Sequence, residues 1–160
     1  MSTKLTNDAG GIATEASLGQ ALMTADQWLS SSLLHLMRAR GHKDLTGAHL
    51  AFFAFLECGL THASDVARRM GISRQAVYKV TRDLERIGVL RLEEDPTDRR
   101  QKLILMTARG DRVALDARAS LAEIEARIEE RIGPVRLDQL RGALARDWGA
   151  VLGLEGDEPS

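Results

Sequence analysis

A mainly α-helical fold with one small β-wing is what this 160-residue chain predicts, and three observations lead there. Apolar residues recur at helical spacing over most of its length. One compact stretch, 63–107, reads as two short helices around a tight turn, then two short apolar runs flanking a polar loop. The apolar stripes at the two ends of the chain exceed what one small core can cover. The expected architecture is therefore a winged helix-turn-helix with terminal helices that pair with a second copy.

Residues 1–14 are polar and Gly-rich and read as a flexible N-terminus. From 18 to 40, Leu22, Leu29, Leu33, Leu36 and Met37 form one stripe with Trp28 beside it, and Gly41 is the stop. Thr46 caps a second helix, 47 to about 58, whose Leu50, Phe52, Phe53, Phe55 and Leu56 make it apolar on more than one side. Such a helix is buried between other elements.

Two helices around a turn come next. Ala67 lies four residues before Gly71, so a small side chain allows close approach and a glycine ends the first helix in the left-handed conformation. Ser73 offers its hydroxyl to the N–H groups of the helix 74–87, which stops at Gly88. Val66, Met70, Ile72, Val77 and Val80 supply the expected core between the two. At ~100° per residue, Val77, Val80, Leu84 and Ile87 share one arc, and Arg74, Gln75, Tyr78, Lys79 and Arg82 the opposite one. A charged helix face is ordinarily just solvated. Here the turn chemistry, the small-residue spacing and the following hairpin agree on a helix that enters a major groove, where Arg or Lys pairs with guanine and Gln with adenine.

The apolar runs 89–93 and 101–107 flank the wing loop 94–100, whose tip holds Asp98, Arg99 and Arg100. A guanidinium on a narrow loop can enter a minor groove. Asp98 would repel phosphate, so its better role is to pair with an arginine and hold its geometry.

These residues carry a resemblance. The segments Val66-Ala-Arg-Arg-Met-Gly-Ile-Ser-Arg-Gln-Ala-Val, Leu84-Glu-Arg-Ile-Gly-Val-Leu, Asp95-Pro-Thr-Asp-Arg-Arg and Leu105-Met-Thr-Ala-Arg-Gly resemble the multiple-antibiotic-resistance regulator (MarR) family of winged-helix transcription factors. The wing Asp-x-Arg followed by Leu-x-Thr-x-x-Gly is more specific than a helix-turn-helix alone. The resemblance covers 45–112. It implies an obligate dimer, an operator with two-fold symmetry, a small-molecule or redox signal, and Arg100 as the minor-groove residue supported by Asp98.

Thr107 caps a long helix to about 131, without the Glu of a capping box because Gly110 stands three residues on. Val113, Ala117, Leu121, Ile124, Ile128 and Ile132 repeat at spacings of 4, 4, 3, 4 and 4, a single-sided seam. Gly133-Pro134 breaks it, and a last helix, 135 to about 152, shows Leu137, Leu140, Leu144 and Trp148. An intramolecular bundle is the alternative to pairing with a second copy. The expected domains are the N-terminus 1–14, a helical dimerisation region of 15–44 and 108–154, and the DNA-binding lobe 45–107.

A net charge of −1 looks wrong for a nucleic-acid partner, but the distribution answers this. Residues 63–113 hold twelve Lys or Arg against eight Asp or Glu, a net of +4, which leaves −5 for the rest. One cysteine, Cys58, excludes an internal disulfide, suits a reducing cytoplasm and reads as a small apolar filler. No apolar run reaches the ~20 residues of a membrane span, and the N-terminus lacks the apolar core of a signal peptide. His35, His42, His49 and His62 are scattered without metal-ligand spacing, and no histidine falls on the long fifth helix that some relatives use for zinc, so no metal or cofactor is expected. No nucleophile, base and orienting group assemble from the sequence, so it reads as no enzyme. His35, His49, Phe52 and Phe53 are candidates to line an effector crevice between the lobes, with aromatic anions favoured by the resemblance and by the ring chemistry. The functional expectation is a cytoplasmic, dimeric, sequence-specific transcriptional regulator, a repressor of a palindromic operator. Its DNA contacts are Ser73, Arg74, Gln75, Tyr78, Lys79, Arg82, Asp98, Arg99 and Arg100. The alternative is a winged-helix protein-interaction module without DNA binding.

Overall fold

The computed structural model describes residues 17–56, 62–98 and 102–149. In order the elements are α1 (Leu18–Ala39), α2 (Gly47–Leu56), α3 (Ala63–Met70), α4 (Arg74–Arg86), β1 (Leu90–Glu94), β2 (Lys102–Met106), α5 (Ala108–Ile132) and α6 (Pro134–Leu144). The strands form an antiparallel pair with Leu92 opposite Ile104. The fold is the expected one: mainly α, with a helix-turn-helix and a small wing set between terminal helices.

Local capping explains most boundaries. Ser17 starts α1 with a capping box in which Gln20 reciprocates. Thr46 Oγ1 accepts from His49 N, and His49 Nδ1 accepts from Thr46 N, both at 3.3 Å. Ser73 accepts from Ala76 N at 3.2 Å, and Thr107 from Gly110 N at 3.1 Å. Gly71 ends α3 at φ 64°, where a side chain would be strained.

The core gathers Met37, Leu45, Leu50, Phe52, Phe53, Val66, Val77, Leu84, Leu90, Ile104 and Val113. α2 is buried through His49, Leu50, Phe52 and Phe53, as its all-round apolarity required. The long helices α1 and α5 pack together. A polar knot joins them: Arg40 Nε donates to the buried Ser120 Oγ at 3.0 Å, and His42 Nε2 donates to Asp116 Oδ2 at 2.7 Å.

Two expectations need correction. Ile72 is 37% exposed, because it lies in the short turn between Gly71 and the Ser73 cap, outside the core cluster that Val66 and Val77 join. Buried Thr81 occupies the inner face of α4 instead, its hydroxyl returned to the Val77 and Tyr78 carbonyls at 3.0 Å. The last helix stops at Leu144, well short of 152, so Trp148 lies beyond it. Asp147 Oδ1 accepts from Gly149 N at 2.9 Å, a local turn that competes with helix continuation. α2 is described as far as Leu56, and the rest of the helix expected to about 58, with Cys58, lies outside the described residues.

Candidate nucleic-acid interface

α4 is held at its C-terminal end and open at the other. The Glu85 carboxylate accepts from Leu92 N at 3.2 Å, tying the last turn to β1. Arg109, in the first turn of α5, donates to the Ile87 carbonyl and, at 2.6 Å, to Asp44 in the α1–α2 loop. The Arg109 guanidinium holds the Asp44 carboxyl below its ordinary value. Thr107 Oγ1 donates toward the Gly88 and Val89 carbonyls at 2.7 and 3.0 Å. Gly110 is there because nothing larger fits: a Cβ on it would lie 2.3 Å from the Val89 carbonyl oxygen. Thr107 and Gly110 are the fixed letters of the Leu-x-Thr-x-x-Gly segment, and this junction gives them their physical reason.

At the other end, Ser73, Arg74, Gln75, Tyr78, Lys79 and Arg82 are all exposed, and they form one outward face. Neighbouring cations are neutralised within the chain: Arg68 pairs with Asp65 at 3.0 Å, Arg86 with Asp83 at 3.1 Å and Arg91 with Glu93 at 3.0 Å. Arg74, Lys79 and Arg82 enter no ion pair among the described residues. That face therefore offers donors and uncompensated charge to an outside partner.

The wing follows α4 directly as the antiparallel pair β1 and β2. Asp98 is half-buried at the start of the tip, and its backbone N–H donates to Asp95 Oδ1 at 3.3 Å. Arg99 and Arg100 lie outside the described residues. Asp95 organises the turn and was missed in the sequence. It is 6% exposed, and bonds from Thr97 first and His62 second hold its carboxyl far below the usual carboxylate range.

The four effector candidates are not drawn together. Phe52 and Phe53 are core residues, and His49 is buried at the α2 cap, where burial pushes its pKa down. His35 is exposed on α1 beside a crevice of about 220 Å³ shared by Trp28, Ser32 and Leu36 of α1 with Glu123, Ile124 and Arg127 of α5. Among the described residues, no His, Cys, Asp and Glu cluster is arranged to hold a metal ion, and no helix is long and apolar enough to cross a membrane.

A helix-turn-helix whose second helix presents a donor-rich N-terminal face, followed at once by a hairpin, defines the winged-helix class of transcriptional regulators. Comparison with known proteins narrows the class. Residues 43–101, the lobe with that interface, match the model of the MarR family. The fold is similar to that of the transcriptional repressor CouR bound to a 23-mer DNA duplex, at 26% identity and a TM-score of 0.70, covering 89% of this chain and 97% of that one. It is similar also to a MarR-family transcriptional regulator from Rhodococcus sp. RHA1, at 24% identity and a TM-score of 0.66, covering 82% and 94%. An uncharacterised protein of Mycobacterium tuberculosis is 29% identical over 93 residues, which are 58% of this chain and 63% of that relative's length. The match to the MarR family is thus confined to the lobe 43–101, while the fold of the chain as a whole is similar to that of the solved regulators.

Proposed function

We propose that the protein is a dimeric, sequence-specific transcriptional repressor. In this reading it binds a palindromic operator with the helix 74–87 in the major groove and the wing 94–100 in the minor groove. The observation that carries the reading is the exposed, uncompensated face of Arg74, Gln75, Tyr78, Lys79 and Arg82 at the unanchored end of α4. The repressor CouR, which resembles this chain along nearly its whole length, is bound to a DNA duplex, and this supports the same use here.

Pairing of two copies is supported by apolar surface on the terminal helices. Trp28, Leu121, Val135, Leu140 and Leu144 are exposed, and Leu137 is the only buried residue of α6. Leu22, Leu29, Ile128, Ile132, Leu140 and Leu144 line an apolar groove of about 560 Å³ between α1, α5 and α6. A second copy offers the same groove and the same ridge, which is the self-complementarity of a two-fold interface.

A small aromatic anion is the effector class we assign, at the crevice beside His35, away from the buried His49, Phe52 and Phe53. The His35 crevice, with the Trp28 ring on one wall and Arg127 on the other, supports that chemistry. Titration with a panel of phenolic acids, read as thermal stability and operator affinity, removes the effector from the reading if neither moves.

The DNA reading is tested by salt. A dimer that uses Arg74, Lys79, Arg82 and Arg100 of each copy neutralises on the order of 6–8 phosphates, so log K against log [salt] has a slope of about −5 to −7. Affinity that barely changes between low and high salt instead favours a winged-helix protein-interaction module.

A further inference from the structure

We infer that His62 is a wing-positioning residue, a clamp at the base of the hairpin that aims the wing without itself facing DNA. The inference rests on the wing being a DNA contact and names the group that holds it in place. The His62 backbone forms an isolated antiparallel bridge to Leu103 of β2, so it acts as a one-residue third strand. Its carbonyl accepts from Asp65 N and Val66 N at 3.1 Å, which fixes it to the first turn of α3. Its ring Nε2 donates to Asp95 Oδ2 at 2.7 Å, just past the end of β1. One residue thereby joins the start of the helix-turn-helix to both strands of the wing.

Asp95 carries the constraint forward. Its second oxygen, Oδ1, accepts from Thr97 N at 2.7 Å, Thr97 Oγ1 at 2.6 Å and Asp98 N at 3.3 Å. Those bonds shape the turn from which the wing tip departs. The His62 ring fixes where the carboxylate sits, and the carboxylate fixes the turn. A carboxylate this enclosed keeps one orientation only while both oxygens have donors. Without the ring, Oδ2 turns toward water and the turn is released. The hairpin cannot restore it alone, because two isolated strands are at best marginally stable. The other charged group at the ring is Asp65, whose Oδ2 lies 3.8 Å from Nδ1 and which also pairs with Arg68.

The test uses full-length protein and the duplex that the wild type selects from a random-sequence pool. His62→Ala and His62→Gln are measured alone and combined with Arg100→Ala or Gln75→Ala, with amide hydrogen exchange followed at Thr97 and Asp98. Losing a charge-assisted hydrogen bond weakens binding about tenfold in His62→Ala, with loss of exchange protection at both amides. His62→Gln keeps a donor at the Nε2 position and returns affinity to within about threefold of wild type. Because His62 acts through the wing, His62→Ala costs under about twofold more on top of Arg100→Ala, yet adds fully to Gln75→Ala. Unchanged affinity or unchanged exchange in His62→Ala overturns the inference, and so does full additivity with Arg100→Ala. Should His62→Ala not fold, Asp95→Asn replaces it, and the same non-additivity with Arg100→Ala is required. If the wild type selects no duplex, the DNA reading has failed, and exchange at Thr97 and Asp98 still decides whether His62 is the clamp.

Discussion

Gly110→Ala tests whether the junction behind α4 is as close as the structure makes it. Gly110 lies in the first turn of α5, and in an open helix glycine to alanine stabilises by about 1 kcal/mol. Here the new methyl meets the Val89 carbonyl oxygen at 2.3 Å, with Met106 Cε at 3.1 Å behind it. A methionine end can move, but a backbone carbonyl cannot move without its partners. That carbonyl accepts from Thr107 N at 3.2 Å and Thr107 Oγ1 at 3.0 Å. Overpacking costs about 1–3 kcal/mol and each weakened bond about 1 kcal/mol. Set against the propensity gain, the net is a loss of about 2–4 kcal/mol, or roughly 1–2 M in the urea midpoint. Gly142→Ala is the internal control, since nothing lies within 4 Å of its added methyl. It should stabilise by about 0.5–1 kcal/mol. Both are measured by urea unfolding at one fixed protein concentration, because self-association shifts apparent stability. A Gly110→Ala midpoint equal to or above wild type, with Gly142→Ala raised, refutes the packing argument.

Three further outcomes are expected. Leu121→Glu with Ile128→Glu should give monomers by sedimentation at micromolar concentration and abolish measurable operator binding, since two linked half-sites supply the avidity; a dimer that persists refutes the pairing surface. Gln75→Ala should cost about 1–3 kcal/mol on the preferred operator and relax preference at one position per half-site, whereas Arg100→Ala weakens binding to many sequences alike and reduces any bias for A·T-rich flanks; reversed effects in binding selections reverse the groove assignment, and Asp98→Ala should mimic Arg100→Ala only in part. Because the folded carboxyl of Asp95 titrates below its unfolded value, its contribution is complete above about pH 4 and is lost as pH falls through the depressed folded value, so the stability gap between wild type and Asp95→Asn should hold from pH 7 to 5 and close only under stronger acid; a gap already closing at pH 6 contradicts that.

What the sequence displayed was local. Gly71, Ser73 and Thr107 announce their roles within three or four residues, because capping bonds span that distance. The inner and outer arcs of α4 are likewise read from helical period alone. What it hid was set by long-range pairing. His62 and Asp95 are 33 residues apart, and Asp44 and Arg109 are 65 apart. No spacing rule connects either pair. Gly110 looked like a missing capping glutamate, and only the position of the Val89 carbonyl shows why a side chain is barred. Asp95 carries no local sign of its role, because its ring partner lies on a different element and Asp98 is the carboxylate nearer the tip arginines in sequence.

The anchoring of α4 is asymmetric, and the asymmetry bears on control. Its C-terminal end is fixed to β1 through Glu85, to α5 through Thr107 and Arg109, and through Arg109 to the loop that leaves α1 at Asp44. Its N-terminal end carries the outward donors and is fixed to α3 by a three-residue turn and the Val66–Val77 core. With 13 residues α4 is about 20 Å long, at ~1.5 Å per residue. A tilt of about 10° at the anchor therefore moves the donor end by roughly 3 Å, which is more than a hydrogen bond tolerates. The partners of that anchor are the start of α5 and the loop that follows α1, and α1 and α5 are the two helices that flank the His35 crevice and line the apolar groove. On the proposed reading, a ligand or a second copy that spread α1 from α5 would act on the anchor directly, and DNA binding would be lost without any contact to the donor face of α4.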